Sequence, residues 1–170
     1  MAAVANAKRF LAERADPQSG KDLAFSSLRT IEAVEYFGAG DYSRAVDALD
    51  EARLRIEWRS ALASSVKEQT FNRMIKAEAL LQKGAVEDAL EVYLSFMKSD
   101  GLAKLLYLGP GHLRLAEIYE RLGDDEKAID YYARVLRLWR NCDPGLAPMR
   151  EEARRNLDRL VRESVQEPVG

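Results

Sequence analysis

The sequence is poor in the residues that build catalytic and metal centres. Its 170 residues include one cysteine, Cys142, and one histidine, His112. A single cysteine forms no internal disulfide, and no Cys/His cluster is present to hold zinc. We therefore expect no metal and no other cofactor. A reducing cytoplasm is the simplest setting for a chain with this cysteine usage.

Long apolar runs and a strong net charge are also missing. No stretch approaches the roughly 18 consecutive apolar residues of a membrane-spanning helix. The first ten residues lack the basic start and apolar core of a secretory signal, so we expect a soluble protein that is not exported. The formal net charge is −2, which gives no global attraction for nucleic acid or an anionic membrane. We predict that neither is a partner.

Proline is scarce, with five in the chain, and three of them (Pro17, Pro110 and Pro144) lie where turn signals already interrupt the helical pattern. Alternating runs of β-branched residues, which indicate strands, are absent. Hydrophobic residues make up 47% of the chain, enough for a packed core. The sequence therefore predicts an all-α protein.

The chain does contain a short sequence motif that occurs three times; each copy is called a phrase below. Gly-x4-Ala followed by an aliphatic residue occurs at 40–46, 84–90 and 123–129, and each copy lies between two segments of helical period. Glycine ends a helix readily because it enters the left-handed conformation without a Cβ penalty. Each phrase is thus interpreted as the turn of a helical hairpin. The glycines are 44 and 39 residues apart, so the copies are unequal.

These turns divide the predicted single domain, 1–170, into six parts. They are an N-terminal helix (1–20), repeat 1 (22–62), repeat 2 (66–100), an apolar insertion (101–109), repeat 3 (110–140) and a capping helix (146–163). The insertion contains a predicted apolar contact patch, formed by Leu102, Leu105, Leu106, Tyr107 and Leu108.

The third copy resembles the tetratricopeptide repeat. Leu115-Ala116-x2-Tyr119, Gly123 and Ala128-x3-Tyr132 follow the family pattern, in which small residues let two antiparallel helices approach closely. The first two copies keep the pattern in part, with Glu32 and Lys76 in the leucine position. The first helices of these two copies are therefore expected to be rotated or shifted relative to the family pattern. The resemblance implies a tetratricopeptide-like α-solenoid of three hairpins with an N-terminal helix and a C-terminal capping helix.

A narrower resemblance covers 128–146, which looks like the end of the tetratricopeptide tails of bacterial serine/threonine kinases and related regulators. The chain itself has no His-Arg-Asp, Asp-Phe-Gly or Val-Ala-Ile-Lys motif of a kinase domain. The resemblance implies a sensory or docking module of a bacterial regulator.

Members of this family bind partners on the concave side, which the first helix of each hairpin forms. The corresponding positions here form one helical stripe per hairpin, apolar at one end and acidic at the other. An amphipathic or basic segment of a protein or peptide partner would fit it. The N-terminal helix or a second copy of the chain would cover the apolar part equally well. The predicted groove residues are Thr30, Val34, Phe37, Phe71, Met74, Glu78, Leu81, Leu113, Glu117 and Glu120.

Other candidate sites have simpler structural interpretations. His112 occupies a repeat position that is usually aromatic packing, and no serine or cysteine nucleophile accompanies it. Gly38-x-Gly40 follows a helix, whereas phosphate loops follow a strand. We therefore predict a binding scaffold that is not an enzyme. The alternative is a structural element that forms a homo-oligomer through the apolar insertion and the terminal helices.

Overall fold

Every regular element in the described part of the chain is helical. The computed structural model describes residues 2–16, 22–53, 69–98, 105 and 107–166. Within these ranges there are eight α-helices, short stretches of 3-10 helix and no strand, as predicted. The α-helices are α1 (Ala2–Ala12), α2 (Leu23–Gly38), α3 (Tyr42–Glu51), α4 (Thr70–Gln82), α5 (Val86–Met97), α6 (Leu108–Arg121), α7 (Asp125–Leu138) and α8 (Ala147–Gln166).

The chain divides into two compact units, residues 1–104 and 105–170. Unit 1 contains α1 to α5 and unit 2 contains α6 to α8, with the 3-10 helix Pro144–Leu146 preceding α8. The boundary lies inside the predicted apolar insertion. The single domain of 1–170 stays a prediction.

The three repeated phrases form the turns of three helical hairpins, α2–α3, α4–α5 and α6–α7, which confirms the hairpin interpretation. Gly40, Gly84 and Gly123 have φ angles of +78°, +79° and +74°. In this left-handed conformation a side chain would be strained, which explains the glycine. In each turn the N–H of the residue after the glycine donates to a carbonyl of the preceding helix, at 2.9–3.0 Å.

Small residues bring the helices of unit 1 together. Ala33, Ala45, Ala77 and Ala89 are all 0% exposed. Ala33 also belongs to a buried cluster with Ala48 and Leu49, against which Tyr36 and Ile75 pack. Ile75 comes from α4, so the second hairpin joins the core of the first. On the other side α1 packs against α2, where Lys8 pairs with Glu35 at 2.6 Å.

The core of unit 2 is formed by α6, α7 and α8, with α8 packed against α7. Its buried side chains come from all three helices: Leu115, Ala116, Ile118, Ala128, Tyr132, Val135, Ala153 and Leu160. Gly109, in the first turn of α6, lies against the indole of Trp139. A Cβ added at Gly109 would stand 2.6 Å from Cε2 of that ring. Only glycine therefore lets Trp139 occupy this place.

The predicted helix boundaries differ from the structure in a few places. α6 begins at Leu108, so Leu108 and Gly109 belong to the helix and not to the insertion, while Pro110 lies in the first turn as expected. α4 begins at Thr70, after Gln69 in the left-handed conformation (φ 54°), and not near 66. The second helix of repeat 1, predicted to continue to about 62, ends at Glu51 with Ala52 as its C-cap. Residues 54–62 lie outside the described part of the chain.

Candidate protein-interaction surface

The α2 part of the predicted groove presents one open apolar side chain. Val34 is 42% exposed. Phe37 is half-buried and meets Tyr42 edge to face, with ring centroids 5.4 Å apart. Thr30 donates its hydroxyl to the Ser26 carbonyl at 2.8 Å. On α2, Val34 is therefore the exposed apolar residue of the predicted groove, and Phe37 is partly covered by Tyr42.

The α4 part is more apolar and also contains a carboxylate. Phe71 is 41% exposed, while Met74 and Leu81 are half-buried. The hydroxyl of Tyr93, a residue only 1% exposed, donates to the Glu78 carboxylate. Glu78 is thus already bound to its own hairpin, and the most exposed groove residue of α4 is the apolar Phe71.

Polar bonds hold the two parts side by side. The Asn72 amide donates to the Thr30 hydroxyl at 2.8 Å. One turn earlier, the Gln69 amide donates to the Ala52 carbonyl at 2.7 Å and to the Ser26 hydroxyl at 3.2 Å. We name Val34, Phe37, Phe71, Met74 and Leu81 the unit 1 stripe. These bonds place its α2 and α4 parts within one unit.

The predicted groove residues of unit 2 are engaged within that unit. Leu113 is buried, at 8% exposure. Glu117 pairs with Arg114 at 2.7 Å. Glu120 accepts the Tyr132 hydroxyl at 2.9 Å and also pairs with Arg159 of α8. The carboxylates that the sequence places at the acidic end of the groove therefore have internal partners.

The Glu120 cluster also fixes the capping helix. Tyr132 is 0% exposed, and its oxygen accepts the Asn156 amide at 3.2 Å. Burial, followed by the bond to Glu120, raises the pKa of Tyr132 well above its ordinary value, so the hydroxyl keeps its proton. Asn156 and Arg159 both belong to α8. Two polar contacts thus reinforce the apolar packing of α8 on the hairpin.

The predicted apolar contact patch is described only in part. Leu105 is 58% exposed, whereas Tyr107 and Leu108 are half-buried at the start of α6. Leu102 and Leu106 lie outside the described residues.

His112 has an aromatic neighbour, Tyr131, with ring centroids 5.5 Å apart. Tyr131 in turn stacks on Tyr119, also at 5.5 Å. Burial and then the nearby Arg134 guanidinium lower the pKa of His112, which favours the neutral ring. His112 is thus placed as a packing residue in the aromatic position of the repeat.

The sequence comparison of the three copies missed a cluster that two of the turns share. In the first turn Arg44 pairs with the N-cap residue Asp41 at 2.5 Å, and its guanidinium lies 4.7 Å from the Tyr36 ring centroid. In the third turn Lys127 makes the corresponding contacts with Asp124 and Tyr119, at 2.5 and 5.0 Å. The side-chain bond to the cation lowers the pKa of both aspartates. Aligning the copies at their glycines would have found this Tyr/Asp/cation spacing.

The polar residues in the leucine position of the first two copies also have partners. Glu32 pairs with Arg29 at 2.5 Å, and Lys76 pairs with Asp50 of α3 at 2.5 Å. The alanines that follow them, Ala33 and Ala77, remain fully buried. These two departures from the repeat pattern are therefore accommodated at the edge of the helix packing.

Comparison with known proteins assigns part of this architecture. A tetratricopeptide repeat model matches residues 112–143, which include most of α6 and all of α7. No curated protein matches the chain. Among the described helices, none has the length and apolar character needed to cross a membrane.

Proposed function

We propose that this chain is a protein-interaction module whose unit 1 stripe receives the apolar face of an amphipathic segment of a protein partner. Tetratricopeptide repeats generally mediate protein–protein interaction, and residues 112–143 match that family. The observation that carries the choice of surface is the exposure of Phe71 and Val34, at 41% and 42%, on neighbouring helices. Large apolar side chains held open on a rigid helical frame are typical of helix-binding surfaces.

The internal pairing of the carboxylates favours an amphipathic over a simply basic segment. Glu78 binds Tyr93, so a basic partner would have to displace that bond before pairing with Glu78. Phe71 and Met74, one turn apart on α4, need no such exchange to bury more hydrocarbon. Binding energy is therefore expected to come mainly from apolar burial.

The site is tested by placing a photo-crosslinking phenylalanine at Phe71 in the producing cells and identifying the captured protein. The same substitution at Leu138, which is 47% exposed on α7, serves as the control. A partner captured from the first position and not from the second is the expected result.

Purified partner is then titrated with the parent chain, Phe71→Asp and Leu138→Asp. An aromatic anchor at an interface contributes about 1–2 kcal/mol or more, so Phe71→Asp should weaken binding by about five- to thirtyfold or more. Equal affinities of the two aspartate variants, with both folded, would exclude the unit 1 stripe as the interface.

A second candidate function is self-association. Leu105 is 58% exposed, and Val161 and Val165 of α8 are 42% and 79% exposed. Sedimentation equilibrium distinguishes the candidates, because oligomers that dissociate in a Leu105→Asp/Val161→Asp variant would favour this second function. A purely monomeric chain at high concentration would eliminate it.

We further propose, from the resemblance of 128–146 to kinase tails, that the module serves a cytoplasmic bacterial regulator. Co-purification of the chain with a kinase or transcription factor would support this assignment. Partners confined to unrelated housekeeping enzymes would count against it.

A further inference from the structure

A polar cleft lies on unit 1 away from the unit 1 stripe, between α3, α4 and α5. Its volume is about 580 Å³, within the usual range for sites that hold small molecules or a few peptide side chains. Charged side chains from all three helices line it, together with Arg53, which lies two residues after the end of α3. The helical members are Asp50, Arg73, Lys76 and Glu91.

The cleft and the stripe use opposite faces of α4. Asn72, Arg73 and Lys76 line the cleft, whereas Phe71 and Met74 belong to the stripe. At about 100° per residue, the mean directions of the two sets differ by roughly 170°. A ligand in the cleft would therefore leave the stripe open.

Two guanidinium groups in the cleft have no side-chain partner in the part of the chain that the structure describes. Lys76 is neutralised by Asp50 at 2.5 Å. Among the described residues, Arg53 (exposed), Arg73 (half-buried) and Glu91 of α5 make no ion pair. The walls thus carry two free guanidiniums and one free carboxylate.

Guanidinium groups bind carboxylate and phosphate in forked, charge-assisted hydrogen bonds. The cleft is framed rigidly, because Gln69 and Asn72 use their amides to hold α4 against the first hairpin. We infer that the cleft between α3, α4 and α5 binds an oxyanion of a peptide segment, held by Arg53 and Arg73.

The oxyanion can be a glutamate carboxylate or a phosphorylated serine, and two labelled peptides distinguish them. Fluorescein-labelled peptides of repeated glutamate, repeated phosphoserine and repeated glutamine are titrated with the full chain by fluorescence anisotropy. We expect binding of at least one anionic peptide and none of the glutamine peptide. The stronger binder identifies the oxyanion, and failure of both anionic peptides would overturn the inference.

Matched variants separate a built site from general attraction of charge. Arg53→Gln/Arg73→Gln should weaken binding at least tenfold, and Arg73→Lys should recover only part of the loss because it keeps the charge without the fork. Arg140→Gln/Arg155→Gln changes two exposed arginines of unit 2 and should leave affinity within twofold. Equal losses in the two double variants would show an unspecific charge effect and refute the site.

Two more variants keep the result independent of folding and of the proposed function. Glu91→Gln removes the competing carboxylate and should tighten binding of the anionic peptide, an effect that damage to the fold would not produce. Phe71→Ala should leave the anisotropy titration unchanged even where it abolishes partner binding at the unit 1 stripe. Loss of peptide binding in Phe71→Ala would contradict the separation of the two surfaces.

Discussion

Substitution of Gly109 tests how tightly the first turn of α6 is packed in unit 2. A Cβ at this position would stand 2.6 and 2.8 Å from Cε2 and Cζ2 of Trp139, a side chain that is itself only 7% exposed. Real carbon contacts begin well beyond these distances, so the indole or the helix must move. Overpacking of this kind costs typically about 1–3 kcal/mol.

A smaller effect opposes this cost. Replacing a helical glycine by alanine stabilises a helix by roughly 0.5–1 kcal/mol. The net expectation for Gly109→Ala is therefore a loss of about 1–2 kcal/mol in the free energy of unfolding. Gly38→Ala is the matched control. Gly38 is also a helical residue, the last of α2, but a Cβ added there would have no atom within 4 Å. The free energy of unfolding of this control should be unchanged or slightly increased.

Urea denaturation followed by far-UV circular dichroism measures both variants. Because the chain has two tryptophans, fluorescence is read in a Trp58→Phe background, where the emission of Trp139 reports the displaced ring. A Gly109→Ala protein as stable as the parent, with an unchanged emission spectrum, would refute the packing argument. A loss of equal size in Gly38→Ala would show that the cost does not come from the contact with Trp139.

Three further predictions concern unit 2. Gly123→Ala should cost about 1 kcal/mol, and Gly123→Asn less, because asparagine tolerates the left-handed conformation better; urea midpoints of both variants check this. Tyr132→Phe should cost about 1 kcal/mol, since Asn156 and Glu120 lose a buried partner; unchanged stability would show that the bond to Glu120 contributes nothing. The lowered pKa of His112 means that the unfolded chain takes up the proton first, so stability is present above about pH 6.5 and falls as the pH drops from there towards the folded pKa. His112→Phe should remove this slope in thermal melts between neutral and mildly acidic pH, and an unchanged slope would place its origin elsewhere.

The hairpins could be predicted from the sequence because their determinants are local. Gly84 and Ala89 act within one turn and one helix, and the three phrases repeat the same requirement. Local rules also set the aspartate N-caps at Asp41 and Asp124, which bond to N–H groups three residues later. Local sequence was therefore enough to predict the helices and the burial of most of the repeat alanines.

The candidate site was less predictable because its electrostatics depend on residues that are distant in sequence. Glu120 was expected to be an open acidic group, yet Arg159, 39 residues later, pairs with it. Gln69 was not singled out at all, although it ties α4 to the end of α3. Such pairings follow from how helices dock, which a helical period does not specify.

The middle turn lacks the cluster that secures its two neighbours. Ala85 stands where Asp41 and Asp124 cap the following helices, so the first N–H groups of α5 have no carboxylate of that kind to bond to. The first and third turns therefore each have an aspartate cap with its cation, whereas the middle turn has neither. For an engineer, residues 83–85 are accordingly the turn in which a reporter domain can be inserted without breaking a side-chain cap of this kind.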